Sequence, residues 1–107
     1  MYHVLNADYL LATVLACKES VSFDWLDELR KRIEHDCPGV AVDVSSPAIE
    51  SALECYPEIF ERRSDQIVRA PNASRYLASD YLGFKFVNRI PKEVHRMVKA
   101  AISGTSH

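Results

Sequence analysis

Residues 54–71, with the sequence ECYPEIFERRSDQIVRAP, carry the clearest fold signal of the chain. Two β-prone segments, residues 59–63 and 66–69, flank a Ser-Asp pair of the kind that forms tight turns. A proline just before the first segment limits how far a preceding helix can extend. The stretch therefore predicts the end of a helix and then a small β-hairpin, with arginines at its tip and base.

Three helices are predicted before this hairpin. The first begins at Asn6, a good N-cap, and its apolar residues recur at helical spacing. Asp24 can cap a second helix, which ends at a Pro-Gly pair, and Ser46 opens a third with proline at the first helical position. Residues 21–23 are a short β-prone segment between the first two helices, whereas residues 40–44 are expected to form a connection.

The part of the chain after the hairpin predicts a strand and a helix. Residues 81–87 alternate well enough for a strand or an extended segment on the core, and Pro91 can start a helix. At 107 residues and 48% hydrophobic content, the chain is most simply a single domain, residues 1–107. Within it, residues 6–70 are the predicted core and residues 71–107 a C-terminal extension. The apolar stripe of the last helix consists of Val94, Met97, Val98, Ala101 and Ile102.

The order helix, short strand, helix, helix and hairpin is that of a winged helix-turn-helix, an α+β fold, here followed by a C-terminal amphipathic helix. Three short helices surround a small apolar centre, the hairpin (the wing) covers its open side, and the short first strand can complete a three-stranded sheet. Residues 56–68, YPEIFERRSDQIV, resemble the end of the third helix and the wing of LOTUS (OST-type) winged-helix domains, and residues 6–70 resemble them in element order. This resemblance implies RNA binding or docking to a protein partner.

The charges of the chain are divided between its two halves. Residues 1–60 carry four basic and eleven acidic groups, whereas residues 61–107 carry nine basic and four acidic groups. Such asymmetry favours an anionic partner for the basic half, or an acidic interaction surface on the other half. The alternative is that both are ordinary solvated faces.

Basic residues of the wing and the last helix are candidate contacts with phosphates. Lys92, Arg96 and Lys99 recur at i, i+4 and i+7 and therefore form one stripe, while Tyr76 or Tyr81 could stack on bases. The alternative is that these long side chains solubilise an amphipathic helix and pair with acidic groups of the first half. The predicted nucleic-acid-binding residues are Arg62, Arg63, Arg69, Arg75, Lys92, Arg96 and Lys99.

The third helix carries the opposite charge. Glu50, Glu54 and Glu58 recur at i, i+4 and i+8, which would place them on one helical face, and this helix has no lysine or arginine. Phosphates would be repelled by such a face, so we do not expect this helix to read the major groove as a winged helix often does. The glutamates could instead engage a basic protein partner.

Two functions are left open by the sequence. The first is a regulatory protein that binds RNA or DNA through its wing and its basic C-terminal helix, and fold analogy favours this function. The second is a protein-interaction module, a small regulator or inhibitor that uses the glutamate face of the third helix. Homodimerisation through the apolar side of the first or last helix fits either function.

Catalytic, metal-binding and membrane signals are weak. His35 next to Asp36 and Cys37 lacks the paired spacing of a zinc ligand set, and the three glycines of the chain form no phosphate loop. The sequence has neither an apolar run long enough to span a membrane nor a signal peptide. Its three widely spaced cysteines suit reduced, half-buried thiols. We therefore expect an intracellular (cytoplasmic) protein that is not an enzyme and has no cofactor.

Overall fold

The computed structural model describes residues 3–71, 73 and 92–103, and these residues form an α+β fold. Short helices alternate with short strands along the first part of the chain, and a helix ends the described part. The elements are, in chain order, β1 (His3–Asn6), α1 (Ala7–Leu15), β2 (Ser20–Ser22), α2 (Phe23–Asp36), β3 (Val40–Asp43), α3 (Ser46–Cys55), β4 (Phe60–Arg63), β5 (Gln66–Arg69) and α4 (Lys92–Ser103).

The hairpin lies in a three-stranded antiparallel sheet of order β2-β5-β4. Val21 of β2 lies opposite Ile67 of β5, which in turn lies opposite Arg62 of β4. The hairpin prediction is therefore confirmed, as is the third strand expected from the segment between the first two helices. β4 is left at one edge of this sheet, and β5 lies at its centre.

The turn of the hairpin consists of Ser64 and Asp65. Ser64 has a φ of 60°, in the left-handed region where a side chain is disfavoured, and it occupies the first central position, as in a type II′ turn. The carbonyl of Asp65 accepts a hydrogen bond from the N–H of Phe23 at 3.2 Å. The tip of the hairpin is thereby attached to the first residue of α2.

α1 lies at the centre of the core. Its residues are buried on almost every side, as expected for a helix that is apolar all round. Thr13 is the one polar residue buried there, and its hydroxyl donates to the carbonyl of Tyr9 at 2.9 Å, so its burial leaves no unmet hydrogen bond. α4 joins this core through the buried Val94 and Val98, with Met97 half-buried beside them, as the predicted apolar stripe requires.

The prediction of a connection at residues 40–44 is wrong, because residues 40–43 form β3 and pair with β1 in parallel. Val4 lies opposite Ala41, and Leu5 opposite Val42. Burial explains the pairing: Leu5 is fully buried and Val42 is 6% exposed, so the two side chains face the core together. No local pattern connects two segments so far apart in the sequence.

Two helix boundaries also differ from expectation. Ser22 rather than Asp24 caps α2, because its hydroxyl accepts from the N–H of Trp25 at 3.1 Å, which leaves Asp24 in the first turn. α3 ends at Cys55, so Glu58 lies beyond the helix in the turn that precedes β4. The strand predicted at residues 81–87 and the helix start predicted at Pro91 lie outside the described residues.

Candidate interaction groove

The two arginines at the tip of the hairpin are both paired within the chain. Arg62 Nη1 lies 2.9 Å from Glu50 Oε1, and its guanidinium lies over the ring of Phe23, 5.3 Å from the ring centroid. Arg63 Nε lies 2.8 Å from Glu61 Oε2 on the same strand. The positive charge that the sequence places at the tip is therefore compensated locally.

Arg69, at the base of the hairpin, has a structural contact that the sequence analysis did not predict. Its Nε donates to the carbonyl oxygen of Leu15 at 2.6 Å, and the side chain is half-buried. Leu15 is the last residue of α1, where carbonyl groups lack partners within the helix and attract positive charge. Arg69 thus attaches β5 to the C-terminal end of the central helix.

The basic residues of α4 remain exposed. Lys92, Arg96 and Lys99 lie on the helix face away from the buried Val94 and Val98. α4 packs on α1 and α2, whereas the hairpin packs on β2 and α3, so the two predicted basic groups are carried by different parts of the fold. Arg75, Tyr76 and Tyr81 lie outside the described residues.

The acidic row predicted on the third helix is shorter in the structure. Glu50 and Glu54 are both exposed on α3, one turn apart, but Glu58 lies past the end of the helix. Glu50 is engaged by Arg62, while Glu54 has no ion-pair partner among the described residues. The predicted three-residue helical face is therefore wrong in its last member, because the chain leaves the helix before Pro57.

A groove of about 410 Å³ lies where the N-terminal parts of α2 and α3 meet the hairpin. Leu26 and Ile49 are buried at its floor, and Phe23 and Val44 are half-buried beside them. Its more polar residues, which lie nearer the solvent, are Asp24, Asp27, Ser46, Glu50 and Arg62.

The groove has an excess of negative charge. Three carboxylates and a single guanidinium line it. Asp27 is the most constrained of the acids, since Arg30 Nε donates to its Oδ1 at 2.9 Å and Lys31 lies 3.5 Å away. The hydrogen bond from Arg30 is the largest effect on the pKa of Asp27 and lowers it. Burial opposes this shift, and the charges of Arg30 and Lys31 add to it, so the net effect is a lowered pKa and an ionised carboxylate. Asp24 is exposed and has no ion-pair partner in the described part of the chain.

A larger hollow, of about 560 Å³, lies between α2 and α4. Trp25 and Ala101 line it, and Lys18 Nζ lies 4.2 Å from the centroid of the tryptophan ring. Two of its charged lining residues, Glu28 and Lys31, pair with each other along α2, with Lys31 Nζ 3.5 Å from Glu28 Oε1. The 410 Å³ groove differs from this hollow because its ion pair, Arg62 with Glu50, joins two separate elements, β4 and α3.

The His-Asp-Cys cluster at the end of α2 does not converge on one point. His35 Nδ1 contacts Asp36 Oδ1 at 2.8 Å at the surface, whereas the Cys37 thiol lies 3.7 Å from the sulfur of Met97 on α4. Burial is the main effect that raises the pKa of this thiol. Among the described residues, no group of three or more His, Cys, Asp or Glu side chains is arranged to hold a metal ion.

The cysteines are free, and Cys17 and Cys55 are exposed rather than half-buried as the sequence suggested. Within residues 3–71, 73 and 92–103, no helix has the length and apolar character needed to cross a membrane.

Comparisons of the chain with protein-family models, with curated proteins and with solved structures find no match.

Proposed function

We propose that residues 7–69 form a winged helix that acts as a non-catalytic protein-interaction module. The order of helices and strands from α1 to β5 supports this fold. So does the sheet order β2-β5-β4, in which β2 pairs with β5, the second strand of the hairpin. The parallel pair of β1 and β3 is an addition to that plan, since it places a strand between the second and third helices. The resemblance to LOTUS domains stays a prediction.

The observation that carries the proposal is the engagement of Arg62 with Glu50 and Phe23 at the groove. A nucleic-acid-binding wing presents unpaired positive charge to phosphates. Here both arginines at the tip are matched by carboxylates, and the adjoining concave surface combines an apolar floor with an acidic border. Concave sites with an apolar floor and a few polar groups are typical of ligand and peptide binding.

The chemistry of the groove indicates the kind of partner. The lining residues carry a formal charge of −2, from three acids and one arginine. Arg30 and Lys31 offset Asp27 and Arg62 offsets Glu50, so Asp24 is the lining acid without an ion-pair partner among the described residues, and it favours a basic segment over an anionic ligand. Glu54, one turn from Glu50 on α3, extends the negative potential beyond the groove. We therefore propose a partner segment that combines basic side chains with at least one apolar anchor.

A second candidate function is nucleic-acid binding through α4. The specific observation in its favour is the stripe of Lys92, Arg96 and Lys99, which is exposed and has no ion-pair partner within the described residues. This function would depend on the last helix and not on the wing. Arg75 would belong to the same surface only if the intervening chain brought it there.

Fluorescence-anisotropy titrations distinguish the two candidates. The probes are a short labelled peptide of alternating arginine and leucine, the same peptide with glutamate for arginine, single-stranded RNA, single-stranded DNA and duplex DNA. We expect binding of the arginine peptide, with affinity lowered about tenfold by Asp24→Lys together with Glu54→Lys. Binding of RNA or DNA but not of the peptide would contradict the interaction module and support the role of α4.

A further inference from the structure

We infer that the groove is a binding site for an arginine side chain of a partner, and that Arg62 occupies this site in the free chain. The inference rests on the proposed function and names the residue type that the partner inserts. The ligand type is inferred from a contact within the chain, because the guanidinium of Arg62 already contacts the carboxylate of Glu50 and the ring of Phe23.

The site contains the groups that recognise a guanidinium. Glu50 supplies a carboxylate oxygen at 2.9 Å from Arg62 Nη1, and the centroid of the Phe23 ring lies 5.3 Å from the guanidinium carbon. Carboxylates bind guanidinium in a planar arrangement, and aromatic faces attract it through the ring quadrupole. Lysine lacks the planar fork and stacks less well, so the site should prefer arginine to lysine.

Arg62 is held in a way that permits its displacement. The side chains of Arg62 and Glu50 are 51% and 54% exposed, so their ion pair is screened by water and adds little to stability. Arg62 also lies on β4, the edge strand of its sheet, where its side chain can turn to solvent without disturbing the strand pairing. A partner arginine can therefore replace it on Glu50 and Phe23 while the backbone of the hairpin stays in place.

The groove also contains groups that Arg62 does not contact. Phe23 and Val44 are half-buried and still expose apolar surface in the groove, whereas Leu26 and Ile49 are already buried, and Asp24 adds a carboxylate on the α2 side. A partner with an apolar residue beside its arginine would cover the exposed part of Val44 and place its charge near both Glu50 and Asp24. Such a segment gains contacts that Arg62 alone does not make, which is why it can compete with an intramolecular group.

The test compares Arg62→Ala with Arg63→Ala as a matched control. Arg63 is the neighbouring residue on β4 and is also ion-paired, but its partner is Glu61 and it does not line the groove. We expect Arg62→Ala to bind the arginine-leucine peptide about fivefold more tightly than the unmodified chain, because the competing guanidinium is gone. Arg63→Ala should bind as the unmodified chain does.

Two further variants test the identity of the site. In the Arg62→Ala background, Glu50→Gln should remove the gain in affinity, and Phe23→Leu should reduce the preference for the arginine peptide over a lysine-leucine peptide. Arg62→Gln is measured in parallel, and circular dichroism establishes that each variant is folded. Should Arg62→Ala unfold the hairpin, Arg62→Gln alone decides the result, since its longer stem stays on β4.

Each outcome bears on a separate claim. Equal or weaker peptide binding by Arg62→Ala and Arg62→Gln, with the unmodified chain still binding, would overturn occupancy by Arg62 but leave the interaction module standing. No peptide binding by the unmodified chain or by any variant would overturn the proposed function as well. Tighter binding by both Arg62→Ala and Arg63→Ala would show a general charge effect and would contradict a specific site.

Discussion

The hairpin and α4 have similar numbers of basic residues, yet they use them differently. On the hairpin, Arg62 and Arg63 pair with carboxylates and Arg69 binds a helix carbonyl. On α4, the basic stripe faces solvent and the opposite face packs on the core. The amount of positive charge in a segment therefore does not tell how much of that charge is available to a partner.

The two faces of α4 should differ most in their effect on stability. Val98 is fully buried, so Val98→Asp would place a carboxylate in the core and lower the free energy of unfolding by about 3 kcal/mol or more. Lys99→Asp, at the next residue, should change it by less than about 0.5 kcal/mol. Urea denaturation followed by circular dichroism measures both, and equal losses would contradict the packing of α4.

The next comparison separates a structural arginine of the hairpin from a surface one. Arg69→Ala removes the hydrogen bond to Leu15 and leaves a carbonyl at the end of α1 without its partner, so we expect a loss of about 2 kcal/mol in unfolding free energy. Arg63→Ala removes an exposed pair and should cost less than about 0.5 kcal/mol. Similar losses for the two variants would show that the contact of Arg69 is not stabilising.

The availability of the charges can be measured by their response to salt. Lys92, Arg96 and Lys99 are replaced together by alanine. The number of ions released on binding to single-stranded RNA, measured as the slope of log K against log salt concentration, should then fall by about two, at roughly 0.7 ions per phosphate contact. Arg62→Ala with Arg63→Ala should reduce that dependence less, because each of these side chains would have to leave its carboxylate to contact a phosphate. A larger effect of the hairpin variants would reverse the comparison and restore the wing as the nucleic-acid surface.

The smallest effect concerns the hairpin turn. Ser64→Gly should raise the free energy of unfolding by about 0.5 kcal/mol, because glycine adopts a φ of 60° without the steric cost of a side chain. Asp65→Gly is the control and should bring no gain, since Ser64 is the turn residue with positive φ. A loss of stability in Ser64→Gly would mean that the serine side chain contributes to the turn.

Prediction from the sequence worked best where the signal is local. The helical spacing of α1, the proline at the start of α3 and the turn between β4 and β5 each depend on neighbouring residues, and each is confirmed. The cap of α2 was predicted at Asp24, but the structure uses Ser22, a residue type that caps helices equally well. The candidate site was only partly predicted. Glu50 and Arg62 were both identified, but Glu50 was assigned to a protein-binding face and Arg62 to a nucleic-acid-binding wing, whereas the structure pairs them.

Four features can be read from the amino-acid sequence alone: the helices, the hairpin, the segment that joins it as a third strand, and the separation of acidic and basic residues along the chain. Periodicity, caps and turn residues act over a few positions, so these features follow from short stretches. Three other features arise only in the folded chain: the pairing of β1 with β3, the attachment of Arg69 to α1, and the proximity of Phe23, Glu50 and Arg62 at one groove. Burial of a shared core brings these distant residues together, and no local pattern records which of them will meet.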